Sequence, residues 1–139
     1  MESKEDYHIE EYKMDDADFV LVAMGSVCGT IKAVIDEMRK EGVKVGLLKL
    51  ITFRPFPAKL LVEKLKDFGT VAIVEKALSP GLGGPLYHEI SSALYEADKH
   101  PKLRSFIVGL GGKDVKLEHV RKIIKLTGDG SGNKVEWMF

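Results

Sequence analysis

The stretch that decides the fold is Phe19-Val-Leu-Val-Ala-Met24, which is followed directly by Gly25-Ser-Val-Cys-Gly-Thr30. The first half is apolar at every position, so a strand built from it needs cover on both faces. A helix is predicted next, from about Thr30 to Lys40. Its apolar residues recur with helical spacing, at Ile31, Val34, Ile35 and Met38. A fully apolar strand joined to an amphipathic helix is typical of one unit of a parallel sheet.

The same unit recurs along the chain. Further strands are predicted at Val43 to Leu50, Thr70 to Glu75 and Leu103 to Val108. Further helices are predicted at Ala58 to Lys66, Pro85 to Ala97 and Leu117 to Leu126. This alternation predicts an α/β fold with a mostly parallel sheet and helices on both faces.

The ends of the chain differ in composition from its middle. Residues 1–18 are charged and are predicted to form a leader that is mobile or held by a partner. Residues 19–126 are predicted to form one domain, and residues 127–139 a tail. The tail combines a turn-rich linker at residues 127–133 with an apolar end that could pair or dock.

Composition excludes several classes of function. The 139 residues carry 21 basic and 21 acidic side chains, so the charge balance gives no reason to expect nucleic acid or a membrane surface. The polar amino terminus is unlike a secretory signal, and a cytoplasmic location is predicted. Cys28 is the only cysteine, which rules out an internal disulfide and an iron–sulfur cluster held by this chain alone. The histidines lack zinc-binding spacing, so no metal site is predicted.

Loops follow the four predicted strands, at residues 25–30, 52–57, 79–85 and 109–114. The carboxyl ends of parallel strands share one edge of a sheet, where ligands and partners usually bind. In the first loop, Gly25, Ser26, Gly29 and Thr30 could hold a phosphate at a helix amino terminus. The alternative is a tight turn with Thr30 near the helix cap, and the turn is favoured. Cys28 is expected to be a packed residue rather than a nucleophile.

The second loop is the most unusual segment. Pro55 and Pro57 restrict the backbone and remove two hydrogen-bond donors. Arg54 stands beside the rings of Phe53 and Phe56, a combination that suits an interface or a carboxylate or phosphate ligand. The alternative is that both rings cap the core and Arg54 pairs with a local carboxylate. The sequence leaves these two interpretations open.

The last two loops carry charged side chains as well as glycines. Glu75 and Lys76 stand at a strand end, where such a pair more often meets solvent than binds substrate. In the fourth loop, Gly109, Gly111 and Gly112 precede Asp114, which is expected to help cap the final helix. No nucleophile, base and orienting group can be assembled from these loops. The sequence therefore predicts no catalytic residue and offers the loops as interface or ligand candidates.

Five motifs resemble one family when they are taken together. They are Asp15-Asp-Ala-Asp18, Met24-Gly-Ser-Val-Cys-Gly-Thr30, Leu50-Ile-Thr-Phe-Arg-Pro-Phe-Pro57, Ser79-Pro-Gly-Leu-Gly-Gly-Pro-Leu-Tyr87 and Val108-Gly-Leu-Gly-Gly-Lys-Asp114. They resemble the alpha subunit of the 2-oxoacid:ferredoxin oxidoreductases, above all pyruvate:ferredoxin oxidoreductase (pyruvate synthase). The resemblance covers residues 7–126 and only the carboxyl-terminal part of that subunit, which is similar to the carboxyl-terminal domain of transketolase.

This resemblance implies a three-layer fold with one antiparallel strand in the sheet. It also implies a complex that converts a 2-oxoacid and coenzyme A to acyl-CoA and CO2 while ferredoxin is reduced. Thiamine diphosphate, Mg²⁺ and iron–sulfur clusters are expected on other domains or subunits: the thiamine-binding beta, the gamma and the iron–sulfur delta subunit. The chain is expected to be an assembly domain without activity of its own. The alternative is a domain that binds a phosphate or coenzyme A group at residues 25–30.

Overall fold

The computed structural model describes residues 8–76, 85–109 and 114–130, and the backbone of residues 135–137. The strands are β1 (Ile9–Tyr12), β2 (Phe19–Met24), β3 (Val45–Leu50), β4 (Thr70–Lys76), β5 (Lys102–Val108) and β6 (Val135–Trp137). The helices are α1 (Val27–Lys40), α2 (Ala58–Leu65), α3 (Pro85–Leu94) and α4 (Leu117–Asp129).

The described strands form one sheet in the order β1-β3-β2-β4-β5-β6. Neighbouring strands from β3 to β6 run parallel, with Phe19 opposite Val45 and Val20 opposite Val71. The exception is β1, which pairs antiparallel with β3 so that Ile9 lies opposite Leu50. The α/β fold predicted from the alternating pattern is confirmed, as is the antiparallel strand that the family resemblance implied.

Two apolar cores lie on opposite faces of the sheet, because successive side chains of each strand point to opposite sides. One core joins α1 and α4 to Leu21, Ala72 and Phe106. The other joins α2 and α3 to Val22 and Ile73. The central strand β2 is buried on both faces, as its unbroken apolar sequence predicts. The helices therefore form the outer two of three layers.

The predicted leader contains the edge strand β1, which its charged sequence did not reveal. Ile9 and Met14 are each only 7% exposed, and both belong to the α2/α3 core. The guanidinium of Arg39 in α1 donates from Nη2 to the carbonyl of Lys13 (2.6 Å) and from Nε to that of Val45 (3.0 Å). The buried side chains of Ile9 and Met14 and the bonds from Arg39 hold this segment at the edge of the sheet.

The chain passes very close to β3 on its way from β1 to β2. A Cβ at Gly46 would stand 2.8 Å from the carbonyl oxygen of Lys13 and 3.0 Å from Cα of Met14. These are backbone atoms, which cannot rotate away as a side chain can. Gly46 therefore makes room for the crossing.

The helix α4 continues to Asp129, so the linker predicted at residues 127–133 begins too early. Thr127 is buried and donates its hydroxyl to the carbonyl of Ile123 (2.7 Å), a bond available inside a helix. The helix ends at Gly130 in the left-handed conformation. Beyond it, β6 pairs with β5, so the apolar end of the tail does pair with the sheet as its sequence allowed.

Candidate functional site

The segments that follow β2, β3, β4 and β5 lie at one edge of the sheet, because those strands run parallel. We call this the carboxyl edge and define it by residues 25–30, 51–57, 76, 109 and 114–117. Six of the predicted site residues here are exposed: Gly25, Ser26, Gly29, Arg54, Pro55 and Asp114. Two others, Gly111 and Gly112, lie outside the described residues, as do residues 79–84 of the third loop.

The first loop is a tight turn rather than an open cradle. Gly25 has φ of +82°, and α1 begins at Val27, three residues earlier than predicted. The N–H groups of Cys28 and Gly29 donate to the carbonyls of Gly25 and Ser26, each at 3.2 Å. These donors are used within the turn, so the coenzyme A or phosphate alternative is not favoured. Ser26 is the N-cap but makes no side-chain cap bond.

Gly29 and Thr30 therefore lie inside the first turn of α1 rather than in a loop. Gly29 is exposed, and a Cβ built on it would meet nothing within 4 Å. Thr30 is half-buried. Cys28 is 1% exposed, and burial raises the pKa of its thiol, which disfavours the thiolate. The expectation that Cys28 is a packed residue is confirmed.

The second loop folds onto the α2/α3 core. The rings of Phe53 and Phe56 meet edge to face, with centroids 5.7 Å apart, and both are half-buried against that core. The Arg54 guanidinium lies 4.3 Å from the centre of the Phe53 ring, and its Nη2 is 3.2 Å from the Glu89 carboxylate. The contacts expected under the structural interpretation are thus present. The Arg54 side chain is nevertheless 67% exposed and remains open to a partner.

Glu75, at the end of β4, was predicted to meet solvent, but it is buried. Its carboxylate is buried and accepts the backbone N–H groups of Leu86 (2.7 Å) and Tyr87 (3.1 Å) in the first turn of α3. Burial raises the pKa of this carboxyl, and the two N–H bonds oppose the increase. An acidic residue closing an apolar strand ahead of a helix that starts with proline was the available signal. Glu75 caps α3 across the third loop.

The fourth loop departs from its predicted role at Asp114. Lys116 is the N-cap of α4 and makes no side-chain cap bond, while Asp114 lies two residues further out and is exposed. The prediction that Asp114 caps α4 is wrong, because Lys116 occupies the N-cap position and no side-chain cap bond forms there. Gly109 is buried with φ of +65° and turns the chain out of β5.

Two large apolar side chains of the carboxyl edge are unusually exposed. Ile51 is 49% exposed and follows β3, and Leu117 is 53% exposed and opens α4. Neither exposure was predicted from the sequence, although each residue stands next to a predicted element boundary. They add apolar area to an edge that also offers Arg54.

The residues that the structure describes do not fit a thiamine diphosphate site or an iron–sulfur cluster. The single cysteine is buried with a raised thiol pKa. Within the described ranges, no group of three or more acidic, histidine or cysteine side chains could hold a metal ion. The backbone N–H groups of Cys28 and Gly29 in the first turn of α1 already donate to carbonyls of that turn. In the same part of the chain, no helix is both long and apolar enough to cross a bilayer.

Residues 17–120 match the family model described as "Pyruvate:ferredoxin oxidoreductase core domain II". This chain belongs to that family. The match covers the sheet from β2 to β5 and all helices up to the start of α4, so it includes the described carboxyl edge. The strand β6 lies beyond the matched range.

Curated relatives of this core domain II are subunits of two oxidoreductases. This chain is 49% identical over 116 residues to pyruvate synthase subunit PorA of Thermotoga maritima, and the match covers 84% of this chain and 30% of that protein. It is 46% identical to PorA of Methanocaldococcus jannaschii (94% and 33%), and 44% identical to ketoisovalerate oxidoreductase subunit VorA of Pyrococcus furiosus (83% and 29%). The chain spans about a third of the length of these relatives.

A solved structure supports the fold of core domain II. The protein is titled "Split gene transketolase, inactive beta4 tetramer", and it matches with a TM-score of 0.63 and 16% identity. The match covers 85% of this chain and 41% of that chain. The transketolase-like architecture expected from the motifs is confirmed. At this identity the match establishes the fold alone.

Proposed function

We propose that this chain is an assembly domain of a 2-oxoacid:ferredoxin oxidoreductase and that the carboxyl edge is its docking surface. The observation that supports this most strongly is the carboxyl edge itself. It combines an exposed arginine stacked on a phenylalanine with exposed Ile51 and Leu117, and its described residues contain no catalytic set. Arginine and aromatic side chains dominate the energetic centre of protein interfaces.

The complete complex is proposed to act on pyruvate, since the PorA relatives are named as pyruvate synthase subunits. One 2-oxoacid and one coenzyme A give acyl-CoA, CO2 and a proton, and two electrons pass to ferredoxin. Thiamine diphosphate, Mg²⁺ and the iron–sulfur clusters are proposed to lie on other domains or subunits, because the described residues of this chain do not fit them. A cytoplasmic location stays a prediction.

The test is reconstitution. The remaining polypeptides of the source organism's oxidoreductase are prepared without the segment that this chain supplies, and the purified chain is then added. We expect a stable complex by size-exclusion chromatography and pyruvate-dependent ferredoxin reduction that neither component shows alone. Preference for 2-oxoisovalerate over pyruvate would correct the substrate. Absence of any association would refute the assembly role.

A further inference from the structure

The part of the carboxyl edge that borders α2 and α3 is basic. Arg54 and Lys76 are exposed there, and Lys59 is exposed next to it in the first turn of α2. Glu89 is paired with Arg54, and the buried Glu75 is bonded to the start of α3. The first turn of α2 contains no acidic side chain, so the positive end of this helix dipole is not offset within it. A partner of complementary charge is therefore acidic.

Arg54 is held in place but only partly used. Among the described residues, it donates to the carbonyl of Phe53 (3.3 Å) and to one oxygen of Glu89 (3.2 Å), which leaves further N–H groups of its five. The contact with the Phe53 ring further restricts the guanidinium. A fixed guanidinium loses little rotamer freedom when it binds a second acceptor.

We propose that the partner docked on this part of the edge presents an aspartate or glutamate carboxylate to Arg54, beside an apolar side chain that covers Ile51. The inference rests on the proposed assembly function and names the chemistry of its partner: a protein surface of the same oxidoreductase. Arg54 matches a carboxylate because its parallel N–H groups can bind both oxygens.

A phosphate group is the weaker match for the same side chain. Phosphate sites normally add several backbone N–H groups to the cation. Here Pro55 and Pro57 have none, and the N–H of Ala58 at the start of α2 already donates to the carbonyl of Phe56 (2.9 Å). The loop therefore offers side-chain donors and apolar surface, which suits a protein partner.

The first experiment measures binding of the 139-residue chain to the remaining oxidoreductase polypeptides by calorimetry. We expect Arg54→Glu to raise Kd about tenfold or more, and Arg54→Lys to raise it less because the charge is kept. Lys66→Glu is the matched control, since Lys66 is exposed at the far end of α2. It should change Kd by less than about twofold. Raising NaCl from about 0.05 to about 0.5 M should weaken the wild-type chain more than the Arg54→Glu variant.

The second experiment identifies the carboxylate. The Arg54→Lys/Glu89→Gln variant places an amine at position 54 and removes the local acid that would compete for it. A carbodiimide then joins the amine to any carboxylate in direct contact, and mass spectrometry locates the partner peptide. We expect a cross-link to an aspartate or glutamate flanked by apolar residues. The Lys66→Gln variant in the same background leaves that cross-link intact.

The outcomes separate this inference from the assembly proposal. If the wild-type chain does not bind, the assembly role fails and the inference fails with it. If it binds but Arg54→Glu and Lys66→Glu behave alike, or no cross-link forms at position 54, the carboxylate partner is refuted while assembly stands. Displacement of the partner by free coenzyme A or inorganic phosphate would show that Arg54 binds a small anionic ligand instead of a protein carboxylate.

Discussion

At the scale of single residues, Glu75 sets a pH dependence. Its native pKa is raised above the ordinary 4.5 by burial, so the folded chain holds a proton more readily than the unfolded chain. Between pH 4.5 and the raised native pKa, the free energy of unfolding therefore falls as pH increases. Glu75→Gln keeps an acceptor oxygen for α3 and should remove this part of the slope. Urea unfolding of both chains across that window measures it, and parallel curves would contradict the assignment.

A second prediction at this scale concerns Gly46. Gly46→Ala places a methyl group against the backbone of Lys13 and Met14, and we expect a loss of about 1–3 kcal/mol of stability from overpacking. Gly69→Ala is the control, because a Cβ there meets nothing within 4 Å. The midpoint of urea unfolding decides. Equal midpoints for the two variants would show that the crossing can shift at little cost.

At the scale of elements, Arg39 holds β1 on the sheet. Its guanidinium donates to the carbonyls of Lys13 and Val45 and lies 2.9 Å from the Asp16 carboxylate. The Arg39 side chain is only 18% exposed. Arg39→Ala should increase amide hydrogen exchange in β1 about tenfold or more relative to wild type, since the bonds to a charged donor are lost. Lys40→Ala, at the exposed neighbouring position, should leave β1 protected. Unchanged exchange in the Arg39→Ala variant would mean that strand pairing alone holds β1.

The elements also show what the sequence can predict. The apolar strands β2 and β4 and the buried face of α1 follow from periodicity, because burial on two faces or on one stripe leaves a direct pattern. The strand β1 escapes, because it has few apolar residues and its place depends on Arg39 and the free side of β3, which lie far along the chain. The cap at Glu75 escapes for the same reason: its partners, Leu86 and Tyr87, are 11 and 12 residues away.

At the scale of the carboxyl edge, the parallel direction of β2 to β5 could be predicted, and with it the gathering of the loops. The packing within each loop could not. The sequence left two interpretations of Arg54 open, and the structure shows both the local pairing with Glu89 and a largely exposed guanidinium. Exposure of Ile51 and Leu117 depends on how neighbouring loops fold, which no local pattern reports.

At the scale of the whole molecule, the predicted boundary at residue 19 is open to a direct test. Deleting residues 1–18 removes β1 and the buried side chains of Ile9 and Met14. Burying two such side chains contributes about 3–6 kcal/mol, a large part of the total stability of a typical domain. We expect the shortened chain to unfold at much lower urea concentration. A deletion of residues 1–7, which leaves β1 whole, is the comparison, and equal stability of both deletions would support residue 19 as the boundary.

The opposite directions of the two outermost strands have a practical consequence. Because β1 runs antiparallel and β6 parallel to their neighbours, β1 begins and β6 ends on the same side of the sheet as Arg54. A fluorophore attached next to Ile9 or Trp137 would therefore stand beside the surface that binding assays need free. The exposed turn at Asp98, Lys99 and His100 faces the other way and is the better place for a label.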